Sequence, residues 1–143
     1  MEKNNTVEIN SLQSCVYQTN CQINDLQGDI SALRRKLVDT QEMQEQHRLA
    51  RALFENDHFD DVQSAKRIAA VSSMRLAKHS ADRLFQHTSS RKITDAYDEM
   101  DRNAANITNE IIRIEQEIEI KEREIYNLQN QISSLQHQIY ALG

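Results

Sequence analysis

Apolar residues recur at alternating steps of three and four through both ends of this chain, and almost nothing interrupts them. In the first segment Ile9, Val16, Ile23, Ile30 and Leu37 fall at one seam position, a, and Leu12, Thr19, Leu26 and Leu33 at the other, d. In the last, Ala104, Ile111, Ile118, Ile125, Ile132 and Ile139 alternate with Ile107, Ile114, Lys121, Leu128, Leu135 and Leu142. A repeat of 3.5 residues makes a helix whose narrow apolar stripe has to be buried against another helix. The chain has no Pro and only two Gly, Gly28 and Gly143, so helix breakers are nearly absent. Each seam carries one polar intruder, Thr19 and Lys121. Such a residue costs stability and can fix register, although a lysine can also snorkel its charge out to water.

The middle is different. Residues 40–47, TQEMQEQH, have no clear apolar face, and FENDHFDD at 54–61 offers the best break. Asn56 or Asp57 can cap a new helix, Asp57, Asp60 and Asp61 suit its positive end, and His47, Arg48 and Arg51 suit the end of the helix before it. A second candidate break is HTSSR at 87–91, where Thr88, Ser89 or Ser90 could cap. Between them Val62, Ala65, Ala69, Ser72, Ser73, Leu76, Ala77, Ser80, Ala81 and Leu84 form a stripe of mostly small side chains that allows close approach to the first helix.

These patterns predict a single all-α domain over 1–143, an elongated antiparallel helical hairpin with long coiled-coil arms. Its expected parts are a helix 7–54, a turn 55–58, a helix 59–87 and a helix 90–142 that either continues the preceding one or stands as a third. A first helix of about 45 residues spans roughly 70 Å, and a continuous return of about 85 residues roughly 125 Å. Folding back about residue 56, the first helix reaches only to about residue 105, and the seam 107–142 overhangs uncovered. With a second break near 88, three helices can bundle and the last seam can lie alongside the first.

Charge adds to this. Seven basic residues (Lys66, Arg67, Arg75, Lys78, Arg83, Arg91, Lys92) stand against one acidic, Asp82, and from 95 to 124 ten acidic residues face four basic ones. The basic block lacks interleaved aromatics and any nucleic-acid-reading motif, and an acidic block follows it, so no nucleic-acid partner is expected. On the last helix, Ile at a and Leu at d suits a parallel two-stranded coil. The flanks at Gln129, Gln131, Gln136 and Gln138 repel nothing, but in a parallel homodimer Glu110 would face Glu115 and Glu117 would face Glu122. Such like-charge pairs each cost a few tenths of a kcal/mol. The seam therefore favours a different chain, or a different segment of this one.

No catalytic constellation is present. The five His are scattered, two Gly cannot build a phosphate loop, and no Ser has a nucleophile-elbow setting, so neither an enzyme nor a cofactor or metal is expected. Cys15 and Cys21, six apart on a helix, are separated by about 9 Å of rise and read as reduced surface thiols. Mean hydropathy is -0.73, with no run long enough for a membrane span and no apolar leader at the amino end. The expected location is cytoplasmic, or secreted without a cleaved signal.

YDEMD at 97–101 matches Y-x-x-x-D on a helix. With the hairpin outline, it resembles the small helical (ESAT-like, W-x-G superfamily) proteins of bacterial type VII secretion. The long acidic heptad arm resembles the accessory proteins encoded with LXG-type toxins. The turn here offers Leu53-Phe54-Glu55 or His58-Phe59-Asp60 in place of W-x-G, and some forty residues follow the motif. The resemblance implies a non-enzymatic adaptor or chaperone that pairs with the toxin's helical N-terminal domain, often as a heterodimer, with Tyr97 and Asp101 in an export signal. Tyr97 also lies seven residues before Ala104, in phase with the seam, and reads equally as a packing residue. The partner-binding residues expected on the seam are Ile111, Ile114, Ile118, Lys121, Ile125, Leu128, Ile132, Leu135, Ile139 and Leu142. The alternatives are a homo-oligomeric structural coiled coil, or a chaperone or stalk protein of another export system.

Overall fold

A computed structural model describes residues 2–71 and 75–143, and their side chains apart from those of residues 71 and 75–77. It is all-α: α1 (Glu2–Val71), α2 (Arg75–Thr88) and α3 (Arg91–Leu142). The topology is a helical hairpin, with α1 as the outgoing arm and α2 and α3 as the return. The described helices divide into two packed units, Met1–Asp39 with Ile111–Gly143, and Thr40–Glu110.

In the first unit, the amino-terminal part of α1 and the carboxyl-terminal part of α3 run antiparallel. Asp29 meets Lys121 at 3.8 Å and Arg34 donates to Glu122 at 2.8 Å. Both helices rise about 1.5 Å per residue. Stepping outward from Asp29–Lys121 with a shift of one residue puts the buried cluster of Ile30, Ile114 and Ile118 in the seam. This sets Leu37 opposite Ile114, Leu33 opposite Ile118, Ile30 opposite Lys121 and Leu26 opposite Ile125, and Arg34 reaches more than a turn along α3 to Glu122. The same steps bring Ile23 to Leu128, Val16 to Leu135 and Ile9 to Leu142, so each a residue faces a d residue. Burial follows this register. Ile30, Ile114 and Ile118 form the buried cluster, with Leu33, Leu37 and Ile125 packed on it. Thr19 is buried too, and its hydroxyl is satisfied within α1 by the Cys15 carbonyl at 2.8 Å.

The turn expected at 55–58 is absent, because α1 passes through it as helix. Asn and Asp are only modestly poor helix formers, by several tenths of a kcal/mol each. Phe54 and His58, one turn apart on the same face, both pack on the Tyr97 ring, with centroids at 5.1 and 5.8 Å. That packing outweighs the local preference for a cap. The basic residues expected at a helix end are interior instead: Arg48 pairs with Glu45, and Arg51 with Glu55 and Asp101.

The small-residue stripe is consequently split between two helices. Val62, Ala65 and Ala69 belong to α1, and Ser80, Ala81 and Leu84 to α2; Ser72, Ser73 and the side chains of Leu76 and Ala77 lie outside the described residues. His58 reaches the Thr88 carbonyl, and seven residues from each end of that bond stand Ala65 and Ala81. These alanines are 0% and 1% exposed, the close approach that small side chains permit. The helix breaks where α2 ends at Thr88 and α3 opens at Arg91. The Thr88 and Ser89 hydroxyls turn back to the Phe85 carbonyl, and the Ser90 carbonyl accepts the first bond of α3 from Thr94. Side chains that bond nearby backbone compete with helix continuation, and this run has two of them in a row.

Candidate functional site

All ten expected seam residues lie on α3 in the first unit, and they share one face. Their environment differs from the uncovered overhang that one reading of the arms predicted. The first segment of α1 lies along them, so the seam is shared within the chain. Ile114 and Ile118 are buried; Ile111, Lys121, Ile125, Leu128, Ile132, Leu135, Ile139 and Leu142 are half-buried. A two-stranded coil leaves each seam side chain open along one flank, which is why most stop short of full burial.

Lys121 sits at a seam position opposite Ile30, and its side chain stays 24% exposed. Its stem covers the seam while its ammonium reaches Asp29 at the edge. Glu122, one residue on, meets Arg34 of α1. Part of the acidic flank that disfavoured a parallel homodimer is thus answered by basic residues of α1. Within α3, Arg113 and Arg123 pair with Glu117 and Glu119 one turn away.

The Arg34–Glu122 bond also marks one flat side of the coil, since both residues directly follow a d position. Five exposed apolar or aromatic residues stand on that side: Tyr17 (71%), Val38 (61%), Ile112 (45%), Tyr126 (64%) and Tyr140 (87%). Each follows an a residue, and 100° of rotation carries it out of the seam towards this one side on both helices. The opposite flat side carries Ile120. Heptad reasoning on the seam alone passes over these five; the signal was their common offset of one from Val16, Leu37, Ile111, Ile125 and Ile139.

Tyr97 and Asp101 belong to the second unit, and both are engaged there. Asp101 forms an ion pair with Arg51. The Tyr97 ring packs edge-on against Phe54, and its hydroxyl meets His58 Nδ1 at 3.3 Å. The His58 Nε2 atom contacts the Thr88 carbonyl at 2.8 Å. A carbonyl can only accept, so Nε2 carries the proton, and in the neutral ring the Tyr97 hydroxyl donates to Nδ1. This relay ties the end of α2 to α1 and to α3. The Arg51 guanidinium is held above its ordinary range, first by its hydrogen bond to Glu55 and then by that to Asp101.

The second unit has its own shallow groove, bounded by Met43, His47, Ala50, Asn103 and Ile107. The His47 Nε2 atom is buried there with no hydrogen-bond partner. An unsatisfied buried polar atom costs about 1–3 kcal/mol. Among the described residues no group of three or more His, Cys, Asp or Glu is placed to hold a metal ion. No described helix is long and apolar enough to cross a membrane.

No protein-family model, curated protein or solved structure matches the chain.

Proposed function

We propose that this protein is a non-enzymatic helical adaptor, which binds a helical partner along the flat side of its first unit. One observation carries the reading. Five exposed apolar or aromatic residues, Tyr17, Val38, Ile112, Tyr126 and Tyr140, stand together on one side of that unit, and a helix laid there would also close the open edges of Ile111, Ile125 and Ile132. Each well-covered aliphatic side chain contributes on the order of 1.5–3 kcal/mol before the entropy cost of association.

The partner class follows from the sequence resemblance: the helical N-terminal domain of an LXG-type toxin exported by a type VII system. The hairpin topology supports it. Tyr97 and Asp101 hold the second unit together, so an export role for them would be additional to that packing.

Co-expression with such a toxin domain is the test. A one-to-one complex that survives gel filtration, and that Val38→Glu with Ile112→Glu abolishes while helicity is unchanged, is the expected result. A complex that forms equally well with both substitutions refutes the assigned side. No complex at all refutes the toxin assignment.

A further inference from the structure

The outer end of the first unit is made of two stretches, 9–24 and 125–142, that contain no Asp, Glu, Lys or Arg. In a chain that is 27% charged, this is an unusual concentration of neutral residues. The antiparallel register brings the two stretches together, Ile9 opposite Leu142 and Ile23 opposite Leu128. On the flat side described above, the block presents Tyr17, Tyr126 and Tyr140 among the amides of Asn20, Gln129 and Gln136, all exposed.

We infer that a second copy of this chain docks on that neutral, tyrosine-bearing side. The chemistry is self-complementary. When identical copies meet, every charge near a two-fold axis meets its own image, and like-charge pairs repel. An amide or a tyrosine hydroxyl carries both donor and acceptor, so it bonds its own image without that penalty. Neutral groups also lose less on leaving water than charged ones. Beyond the block, Glu115, Glu119 and Glu122 lie on the same side, so the overlap between copies ends where charge begins.

The size of the block sets the strength. About 17 residues at 1.5 Å rise, across two helices of roughly 10 Å diameter, present about 500 Å² per copy. The total, about 1,000 Å², is at the lower limit for specific interfaces and belongs to weak, reversible association. The expected dimer is therefore micromolar. It uses part of the side assigned to the partner, so a bound partner would displace it, yet it does not depend on the toxin assignment.

Sedimentation equilibrium of the full chain in reducing buffer, from 1 to 200 µM and at 0.05 and 1 M NaCl, tests the inference. The expected result is a monomer–dimer equilibrium whose constant changes less than about threefold with salt, because no charges pair across the interface. Tyr126→Glu with Tyr140→Glu should weaken it about 100-fold with unchanged helicity, since these side chains are exposed in the monomer. Ile120→Glu, on the opposite flat side, should leave it intact. A chain that stays monomeric at 200 µM, a dimer broken as readily by Ile120→Glu, or one lost in high salt each overturns the inference. The toxin co-expression result bears on none of these outcomes, so the two proposals can fail separately.

Discussion

Replacing Ile114 by alanine tests whether the two ends of this chain share one seam. Ile114 is 0% exposed and is the largest fully buried side chain among the described residues. The substitution removes three carbons, worth about 2.4 kcal/mol at roughly 0.8 kcal/mol each. A cavity in a two-helix coil lies close to solvent and can collapse, so the added cavity cost is small and the expected loss is about 2.5–3 kcal/mol. Ile139→Ala, at a half-buried position, should cost about 1 kcal/mol, and exposed Ile120→Ala less than about 0.5 kcal/mol. Urea unfolding followed by circular dichroism at 222 nm, at one fixed protein concentration, measures all three. Leu37 packs on the same cluster from α1. Leu37→Ala combined with Ile114→Ala should therefore show a coupling energy of at least about 0.5 kcal/mol. Equal losses at 114 and 120, or strict additivity between 37 and 114, would refute the register.

Three further outcomes are expected. Lys121→Leu should raise the urea midpoint, because leucine fills the seam opposite Ile30 and the lost ion pair to Asp29 is an edge contact worth at most about 1 kcal/mol; a lower midpoint would show that the charge is needed for the fold. Tyr97→Phe should cost about 1 kcal/mol through the His58 hydrogen bond, and Tyr97→Ala about 3 kcal/mol or more through the lost ring packing; if both leave thermal unfolding unchanged, the relay contributes nothing. The Glu45 carboxyl is held below its ordinary value by the hydrogen bond from Arg48. A depressed carboxylate adds its stability above the unfolded-state value and loses it as pH falls through the folded one, so any contribution is present at neutral pH and its loss is confined to the acid side. Carboxyl NMR should find Glu45 titrating low and Arg48→Gln restoring it; an ordinary midpoint in the parent chain refutes the pairing.

Residue patterns made the helices and the stripe legible, since a seam is a local property of spacing. They misplaced the reversal for an equally local reason. Asn56, Asp57, Asp60 and Asp61 look like a helix start, yet Phe54 and His58 find Tyr97 some forty residues away, and no local propensity encodes that contact. The patterns leave the partner of the seam between two readings, an uncovered overhang and the first segment of this chain, and the second is the one found. With 55–58 helical, α1 runs on past the expected turn, and in the first unit its residues 9–37 lie along 114–142.

That this chain is helical, and which residues must leave water, is written in the order of its residues, because backbone propensity and a 3.5-residue period act within one helix. What those residues meet is a matter of how the helices pack. The buried cluster of Ile30, Ile114 and Ile118, with the Asp29–Lys121 pair at its edge, sets the register of α1 on α3 in the first unit. That register gathers Tyr17, Tyr126 and Tyr140 on one neutral side, because where an exposed side chain points relative to another helix depends on how the two pack.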